Sequence, residues 1–166
     1  MAVRFPCQTC DNPAMAASLA DLLSRTKAKE LESLQAITES EAATSLAPGR
    51  WTRKEELGHL IDSASNNHMR FVRATLEGTY DGPSYSQNEW VDVHGYRDVP
   101  WTALVEFWCR YNDLLARVVA RIPEDRLNAP CRIGGGDPVT LKFVIEDYVR
   151  HLQHHLAQIT GRDSAA

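Results

Sequence analysis

The sequence has no long apolar run and no cluster of basic residues. Its apolar stretches fall short of the ~18–20 residues that a membrane-spanning helix needs, and the N-terminal MAVRFPCQTCDNPAM has no apolar core of signal-peptide length. Its 18 Lys and Arg residues are outnumbered by 22 Asp and Glu, and no basic stretch offers a path for a nucleic-acid backbone. We therefore expect a cytoplasmic protein that binds neither a membrane nor a nucleic acid.

Cysteine is also scarce, with four residues among 166. Cys7 and Cys10 form a C-x-x-C motif, but the chain has no second such motif and no strand–helix context, so neither a zinc site nor a redox site is predicted there. In a cytoplasmic protein the cysteines are expected to be free thiols. Because chain termini are usually poorly ordered, we expect a disordered leader over residues 1–12 and a single domain over residues 13–162.

Apolar residues recur every three or four positions in four segments, which is the helical period. Each segment is bounded by capping or helix-breaking residues. The predicted helices run from Met15 to Ile37, from the Thr52–Glu55 capping box to Gly78, from Pro100 to Pro123, and from the N-cap Asp137 and Pro138 to Gly161. No alternating pattern predicts a strand. Four amphipathic helices of this length favour an all-α four-helix bundle.

The connection between the second and third helices, residues 78–99, forms a long loop. It shows no sustained period, and Ser86 and Glu89 are expected to cap one short turn around Trp90. Loops of this length inside a compact domain are often functional. We therefore expect this loop to contribute to a site.

Three of the six histidines fall within HLQHH, residues 151–155. On a helical wheel centred on Tyr148, His155 lies about 20° and His151 about 60° from the middle of the buried face, whereas His154 lies about 120° away on the polar side. Two inward imidazoles one turn apart can share a metal ion. Burying both without a common partner would cost desolvation twice, although packing or a polar network would also account for H-x-x-x-H.

A third metal ligand could come from His59 or His68 on the second helix. The wheel places His68 inside the apolar stripe and His59 nearly opposite, so helical geometry alone favours His68. Glu55 and Asp147 each stand one turn before a histidine, where a carboxylate could orient an imidazole. Asp62 could be a fourth ligand, a base or an exposed helix carboxylate.

Three stretches, PGRWTRKEELGHLIDS…NHMRF, YDGPSYSQNEW and YVRHLQHHLAQI, resemble the DinB/YfiT-like family of bacterial metal-binding four-helix-bundle proteins. The likeness runs from about residue 15 to residue 161, and its most specific feature is W-T-x-x-E-x-x-x-H followed much later by H-x-x-x-H. In this family one histidine of the second helix and two of the fourth hold a divalent metal. Matched by position, the ligands are His59, His151 and His155, and His68 is kept as the alternative.

The resemblance implies an enzyme with one divalent metal ion. Zinc or nickel comes first, and iron or copper also suits three imidazoles. Some members of the family look like transferases of a low-molecular-weight thiol, such as bacillithiol, mycothiol or glutathione, to a small electrophile, and others are named as metal-dependent hydrolases. Relatives often form homodimers, which leaves the oligomeric state open.

The sequence contains no Ser–His or Cys–His nucleophile motif. We therefore expect the nucleophile to be exogenous and the partner to be a small-molecule substrate. A binding module without turnover, and a plain bundle whose histidines are satisfied in other ways, are the alternatives.

Two groups of residues are candidates for the reacting site. Asp62 is the first candidate for a proton acceptor. Side chains of the second helix and the long loop are candidates for the pocket or its mouth: His68, Asn67, Arg70, Tyr85, Glu89 and Trp90. Loop packing and helix surface would also account for each of them.

Overall fold

The computed structural model describes residues 14–45 and 47–162. The leader predicted over residues 1–12 lies outside these residues. The described part contains six α-helices and three short β-strands: α1 (Met15–Ala36), α2 (Glu39–Ala42), α3 (Arg53–Glu77), β1 (Tyr80–Gly82), α4 (Gln87–His94), α5 (Trp101–Val119), β2 (Pro130–Ile133), β3 (Val139–Thr140) and α6 (Leu141–Ile159). It also has two 3-10 turns, Tyr96–Asp98 and Glu124–Asn128.

The long helices α1, α3, α5 and α6 form a bundle around one apolar core. α1 packs against α5 and α6, and α3 packs against the same two helices, so α1 and α3 occupy opposite corners. Large side chains with no exposed surface fill the centre, among them Phe71, Trp108, Leu115, Ile145 and Leu152. The predicted all-α four-helix bundle is confirmed. None of the helices in the described ranges is long and apolar enough to cross a membrane.

The start and end of α3 agree with the sequence prediction. The Thr52 hydroxyl accepts a hydrogen bond from the Glu55 N–H (3.3 Å), and the Glu55 carboxylate accepts one from the Thr52 N–H (2.8 Å). This reciprocal capping box satisfies N–H groups that a helix start otherwise leaves free. Gly78 ends the helix with a φ of +74°, a left-handed conformation that favours glycine. These two signals place His59 in the second turn of the helix.

The start of α6 differs from the prediction. Strand β3 pairs with β2, so the chain stays extended past Asp137. The helix begins at Leu141, and the Thr140 hydroxyl caps it by accepting a hydrogen bond from the Phe143 N–H at 3.1 Å. The prediction of Asp137 as the N-cap is therefore wrong, because a tertiary strand pair keeps the preceding residues out of the helix.

The three strands are absent from the sequence prediction. Each has only two to four residues, too few to show the alternation that indicates a strand. β1 pairs parallel with β2, and β2 pairs antiparallel with β3. This small sheet joins the segment that follows α3 to the segment that precedes α6.

The connection between α3 and α5 is more ordered than the predicted loop. It contains β1, the eight-residue helix α4 and a 3-10 turn, and the last two pack on α3. Ser86 is the N-cap residue of α4, which contains Trp90 as predicted, but its side chain makes no capping hydrogen bond. Pro100 is the N-cap of α5 rather than its first residue. The connection thus covers part of α3 with folded elements.

Candidate metal centre

Three histidines from α3 and α6 converge. The Nε2 atoms of His59 and His151 are 3.0 Å apart, and one ring nitrogen from each of His59, His151 and His155 lies within 4.8 Å of the other two. Their ring centroids are separated by 4.4 to 4.9 Å. The structure therefore brings together the three residues that the family resemblance selects, and we call them the histidine cluster.

His59 reaches the cluster because α3 is buried on all sides at this level. Every residue from Lys54 to Ala64 is buried, since α5, α6, α4 and a 3-10 turn surround this part of the helix. The helical wheel assumes one solvent-facing side, and its placement of His59 away from the core is wrong. His68, which the wheel favoured, lies outside the cluster with its Nδ1 3.2 Å from the hydroxyl of Tyr111.

Burial keeps two of these imidazoles neutral at pH 7. Burial, together with the charges that His151 and His155 would carry, lowers the pKa of His59 to about 3. Burial, followed by the effect of His155, lowers the pKa of His151 to about 4. Both rings therefore hold a free lone pair at physiological pH, which is the form that binds a metal.

A buried carboxylate orients the third imidazole. The Nδ1 of His155 is 2.8 Å from Oε2 of Glu56, a residue only 5% exposed. A histidine that donates its Nδ1–H to a carboxylate has a fixed ring and keeps its Nε2 lone pair for a metal. Sequence reasoning missed Glu56 because this contact joins α3 to α6, and no spacing within one helix indicates it.

The two carboxylates considered for this orienting role contact other groups. Besides its part in the capping box, Glu55 accepts a hydrogen bond from Nε of Arg97 at 2.7 Å. Asp147 accepts one from Arg150 at 3.1 Å. The hydrogen bonds of Glu55 and Asp147 thus go to arginines and a helix cap and not to the three imidazoles.

The donor set of the histidine cluster fits a divalent metal ion. Two nitrogens bound to one tetrahedral zinc lie about 3.3 Å apart, close to the 3.0 Å between the Nε2 atoms of His59 and His151. Neutral imidazoles suit zinc, nickel, iron and copper. Three protein ligands leave a coordination position open, as catalytic zinc sites do and closed structural sites do not.

Asp62, the predicted proton acceptor, lies on the side of α3 that faces α4 and the 3-10 turn Tyr96–Asp98. Its side chain is 2% exposed, so the reading as an exposed helix carboxylate is wrong. Oδ1 accepts a hydrogen bond from the Tyr96 hydroxyl (2.6 Å) and lies 3.1 Å from Nδ1 of His94, whereas Oδ2 has no partner among the described residues. Burial raises the pKa of Asp62 against the opposing effects of Tyr96 and His94. Asp62 does not belong to the histidine cluster, and its proton-accepting role stays a prediction.

A cavity of about 250 Å³ lies beside His151. Asn67, Arg70 and Tyr85, three of the predicted pocket residues, line it. Ser63 lines it as well, and its hydroxyl is 3.4 Å from Nδ1 of His151. One wall of the cavity is apolar, formed by Ile133, Val139, Phe143 and Val144. The lining also includes Ser84, Gln87, Asp147 and Tyr148. The cavity therefore combines a polar strip of α3 with an apolar wall, and a candidate metal ligand stands at its edge.

The other predicted pocket residues lie outside this lining. His68 contacts α5 through Tyr111, and Glu89 is exposed on α4. The ring of Trp90 packs against that of Tyr85, with centroids 5.0 Å apart. Trp90 thus does not line the cavity but packs against Tyr85, which does.

The sequence model of the DinB superfamily matches residues 22–159. The chain belongs to the DinB superfamily. Among the relatives of this DinB protein, YfiT from Bacillus subtilis (strain 168) is 25% identical over 143 residues, which cover 84% of this chain and 79% of YfiT. A Bacillus cereus (strain AH820) protein is 27% identical over 116 residues, which cover 68% of this chain and 65% of that protein. The names of both assign them provisionally to the metal-dependent hydrolases.

Two solved structures share the fold of this DinB protein. YfiT from Bacillus subtilis, described as a probable metal-dependent hydrolase with an unusual four-helix bundle topology, superposes with a TM-score of 0.79 at 19% identity and covers 97% of this chain and 92% of YfiT. The mycothiol-dependent maleylpyruvate isomerase superposes with a TM-score of 0.72 at 17% identity, covering 90% of this chain and 61% of the isomerase. At these identities the likeness establishes the fold alone.

Proposed function

We propose that this DinB protein is a mononuclear metal-dependent enzyme that transfers a low-molecular-weight thiol to a small electrophile. The observation that carries the proposal is the convergence of His59, His151 and His155, of which His151 lines a cavity. The provisional names of the relatives support metal dependence, and a structure that shares the fold is that of a mycothiol-dependent isomerase, which supports thiol chemistry. Bacillithiol, mycothiol and glutathione are the candidate thiols.

The three imidazoles would hold one divalent ion, with zinc or nickel first and iron or copper next. When bound, such an ion acts as a Lewis acid that lowers the pKa of a thiol or a water molecule in its open position. The chain itself contributes the preparation of the ligands. Burial keeps His59 and His151 neutral, and Glu56 fixes the ring of His155.

The attacking atom is proposed to be the sulfur of an exogenous thiol. Cys131 is fully buried, and burial raises the pKa of its thiol; Cys109 lies on α5, outside the cavity lining. In the proposed substitution the thiol loses its proton and its sulfur forms a bond to the electrophilic carbon. The leaving group departs with the electron pair of the bond that breaks.

Asp62 is buried and does not line the cavity, so its proposed role as acceptor of the thiol proton requires a relay. Tyr85, which lines the cavity and lies close enough for the charge of Asp62 to raise its pKa, is the proposed relay. Oδ2 of Asp62 has no partner among the described residues, and the raised pKa of Asp62 makes it a stronger base than an exposed carboxylate. Asp62→Asn should slow the reaction by about 10²-fold and remove the acidic limb of the pH–rate profile. An unchanged profile with normal metal content would assign Asp62 a structural role.

A hydrolase that uses the same metal and an activated water is the second candidate. The provisional names of the relatives favour it. The ligands would be the same, and the two functions differ only in the nucleophile. An assay that varies the thiol therefore separates them.

The metal site is tested by expressing the protein without a histidine tag and measuring bound metals by elemental mass spectrometry. We expect about one metal ion per chain in the wild type, a loss of at least about 10-fold in His59→Ala and His151→Ala, and retention in the control His68→Ala. A wild type that takes up no metal after reloading with zinc and nickel would overturn the proposal.

The reaction is tested on the metal-loaded protein with glutathione, mycothiol or bacillithiol and a bromoalkyl electrophile. Mass spectrometry should detect a thioether whose formation depends on the metal and on His59. Product release that needs water but no thiol, from ester or amide probes, would instead support the hydrolase. One metal per chain without either reaction would indicate a binding module and would overturn the enzyme.

A further inference from the structure

A stripe of polar side chains runs along α3 from the histidine cluster into the cavity. Ser63, Asn67 and Arg70 follow His59 at intervals of four, four and three residues, so all four lie on one face of the helix. Ser63 contacts His151 near the cluster, and Asn67 and Arg70 line the cavity further along. The helix rises about 10 Å between Ser63 and Arg70. The stripe thus runs from the end of the cavity beside His151 to the positively charged side chain of Arg70.

The guanidinium of Arg70 has no carboxylate to neutralise it within the described residues. Its hydrogen bond there runs from Nη1 to Oδ1 of Asn67 at 3.3 Å. One turn further along the same helix, Arg73 is also half-buried but pairs with Glu77 at 2.9 Å. Because a guanidinium has five N–H donors, Arg70 has several left to offer to a ligand.

The groups that line the cavity with Arg70 do not supply a negative charge that is free to pair with it. Burial, followed by the charge of Asp62, raises the pKa of Tyr85 to about 12, so its phenol is neutral and keeps its proton at pH 7. The acidic residue in the lining, Asp147, is mostly exposed and bonded to Arg150. Arg70 is therefore the charged member of the polar stripe.

We propose that Arg70 binds a carboxylate group of the molecule that reacts beside His151. A guanidinium binds a carboxylate through two parallel N–H···O bonds. The helical rise between Ser63 and Arg70, shortened by the reach of the arginine side chain, suits a small linear molecule with a carboxylate at one end and its reactive group at the other. The apolar side chains of Phe143 and Val144 would contact the carbon chain between them. The inference rests on the proposed function only for the reactive end.

Calorimetric titration with matched small probes tests this inference. The probes are 4-mercaptobutyrate, its neutral analogue 4-mercaptobutanol, and glutarate, which has carboxylates but no thiol. The proteins are the wild type, Arg70→Gln, Arg70→Lys and the control Arg73→Gln, each metal-free and zinc-loaded in a buffer low in chloride. Circular dichroism checks the fold, which Arg70→Gln should retain because only the hydrogen bond to Asn67 is altered.

Arg70→Gln should weaken the binding of the carboxylate probes by about 10- to 100-fold. The affinity of Arg70→Lys for the carboxylate probes should lie between those of the wild type and Arg70→Gln, because lysine keeps the charge but cannot form the two parallel hydrogen bonds. Binding of 4-mercaptobutanol should not change, and Arg73→Gln should bind like the wild type. Equal weakening of acid and alcohol, unchanged binding of the acids, or a wild type that binds neither acid would each overturn the inference.

The same titrations identify which reactant carries the carboxylate. Glutarate binding that depends on Arg70 and not on zinc would support a carboxylate on the electrophile. Binding of 4-mercaptobutyrate that needs both Arg70 and zinc, without glutarate binding, would support a carboxylate on the thiol. A chain that binds glutarate through Arg70 but takes up no metal would leave this inference standing and remove the proposed function.

Discussion

Two adjacent glutamates at the start of α3 have separate roles. Glu55 closes the capping box with Thr52 and bonds to Arg97, so it acts on the stability of the helix. Glu56 is buried and holds the imidazole of His155, so it acts on the candidate metal centre. The pair therefore offers two neighbouring substitutions with different expected effects.

Glu56→Ala is expected to lower metal affinity by about 10- to 100-fold, because the imidazole of His155 loses the group that fixes its tautomer and orientation. Competition with a chromophoric chelator measures this change. In the matched control, Glu55→Ala should keep the metal affinity of the wild type and lose about 1 kcal/mol of stability with the capping box. Unchanged affinity in Glu56→Ala would show that the contact does not support the centre.

The lowered pKa of Glu55 also leads us to expect that the stability of the fold depends on pH. Burial alone would raise its pKa, but hydrogen bonds from Arg97 and Thr52 outweigh burial and lower the pKa of Glu55 below its ordinary value. A carboxyl with a lower pKa in the folded chain stabilises the fold above its unfolded pKa, and this contribution is lost as the pH falls through the folded pKa.

Urea denaturation of the wild type and Glu55→Gln from pH 7 to pH 3 measures this contribution. The wild type should be the more stable at pH 7, and the difference should shrink below about pH 4. A difference that stays constant over this range would assign the effect to side-chain shape rather than to charge.

At the level of single residues, the sequence identifies side chains whose partners are close in the chain. Thr52 and Glu55 form their capping box within one turn, so the sequence spacing predicts it. Glu56 acts across two helices, and its partner cannot be read from spacing.

At the scale of the elements, the connection between α3 and α5 packs tightly against α3 at Gly58. A Cβ atom at Gly58 would lie 2.1 Å from the ring of Tyr96. Glycine here is unfavourable for the helix by about 1 kcal/mol relative to alanine. Its lack of a side chain, however, lets the 3-10 turn Tyr96–Asp98 pack directly against the backbone of α3. This packing brings the Tyr96 hydroxyl within 2.6 Å of Asp62.

The start of α6 gives a direct comparison between the predicted and the observed cap. Thr140→Ala should lower the free energy of unfolding by about 1 kcal/mol, because the Phe143 N–H loses its acceptor. Asp137→Ala should change it by less than about 0.5 kcal/mol, since Asp137 is exposed and lies before the strand. Chemical denaturation of both variants decides between the two positions, and a larger effect from Asp137→Ala would contradict the observed helix start.

Helix boundaries follow from the sequence where local signals act alone. Gly78 stops α3 because a left-handed residue is needed there. At α6 the Asp-Pro signal is equally strong, but pairing with β2 holds the chain extended until Thr140. Tertiary strand pairing thus overrides a local cap.

For the whole molecule, the amphipathic period predicts the bundle but not which side of α3 carries the site. The wheel fails for His59 because neighbours cover α3 on every side between Lys54 and Ala64. The family motif selects the histidine that meets His151 and His155, because its spacing of Trp51 and His59 reflects the assembled bundle, where the two rings lie 5.2 Å apart. The homodimer suggested by relatives stays a prediction.

Because the histidine cluster joins α3 to α6, a metal bound there should stabilise the bundle as a whole. At a free zinc concentration of 100 times Kd, binding to the folded state adds about 2.7 kcal/mol to the free energy of unfolding. For a domain of this size, that corresponds to a rise in Tm of about 5–10 °C. Differential scanning fluorimetry with and without zinc measures it.

The shift in Tm should vanish in His59→Ala and persist in His68→Ala, whose imidazole contacts Tyr111 outside the cluster. Both variants remove one imidazole from the same helix, so they separate ligation from the general loss of a half-buried or buried ring. An equal shift in His59→Ala and the wild type would place the zinc elsewhere on the protein. Loss of the shift in His68→Ala alone would mean that the wheel, and not the family motif, identifies the ligand on α3.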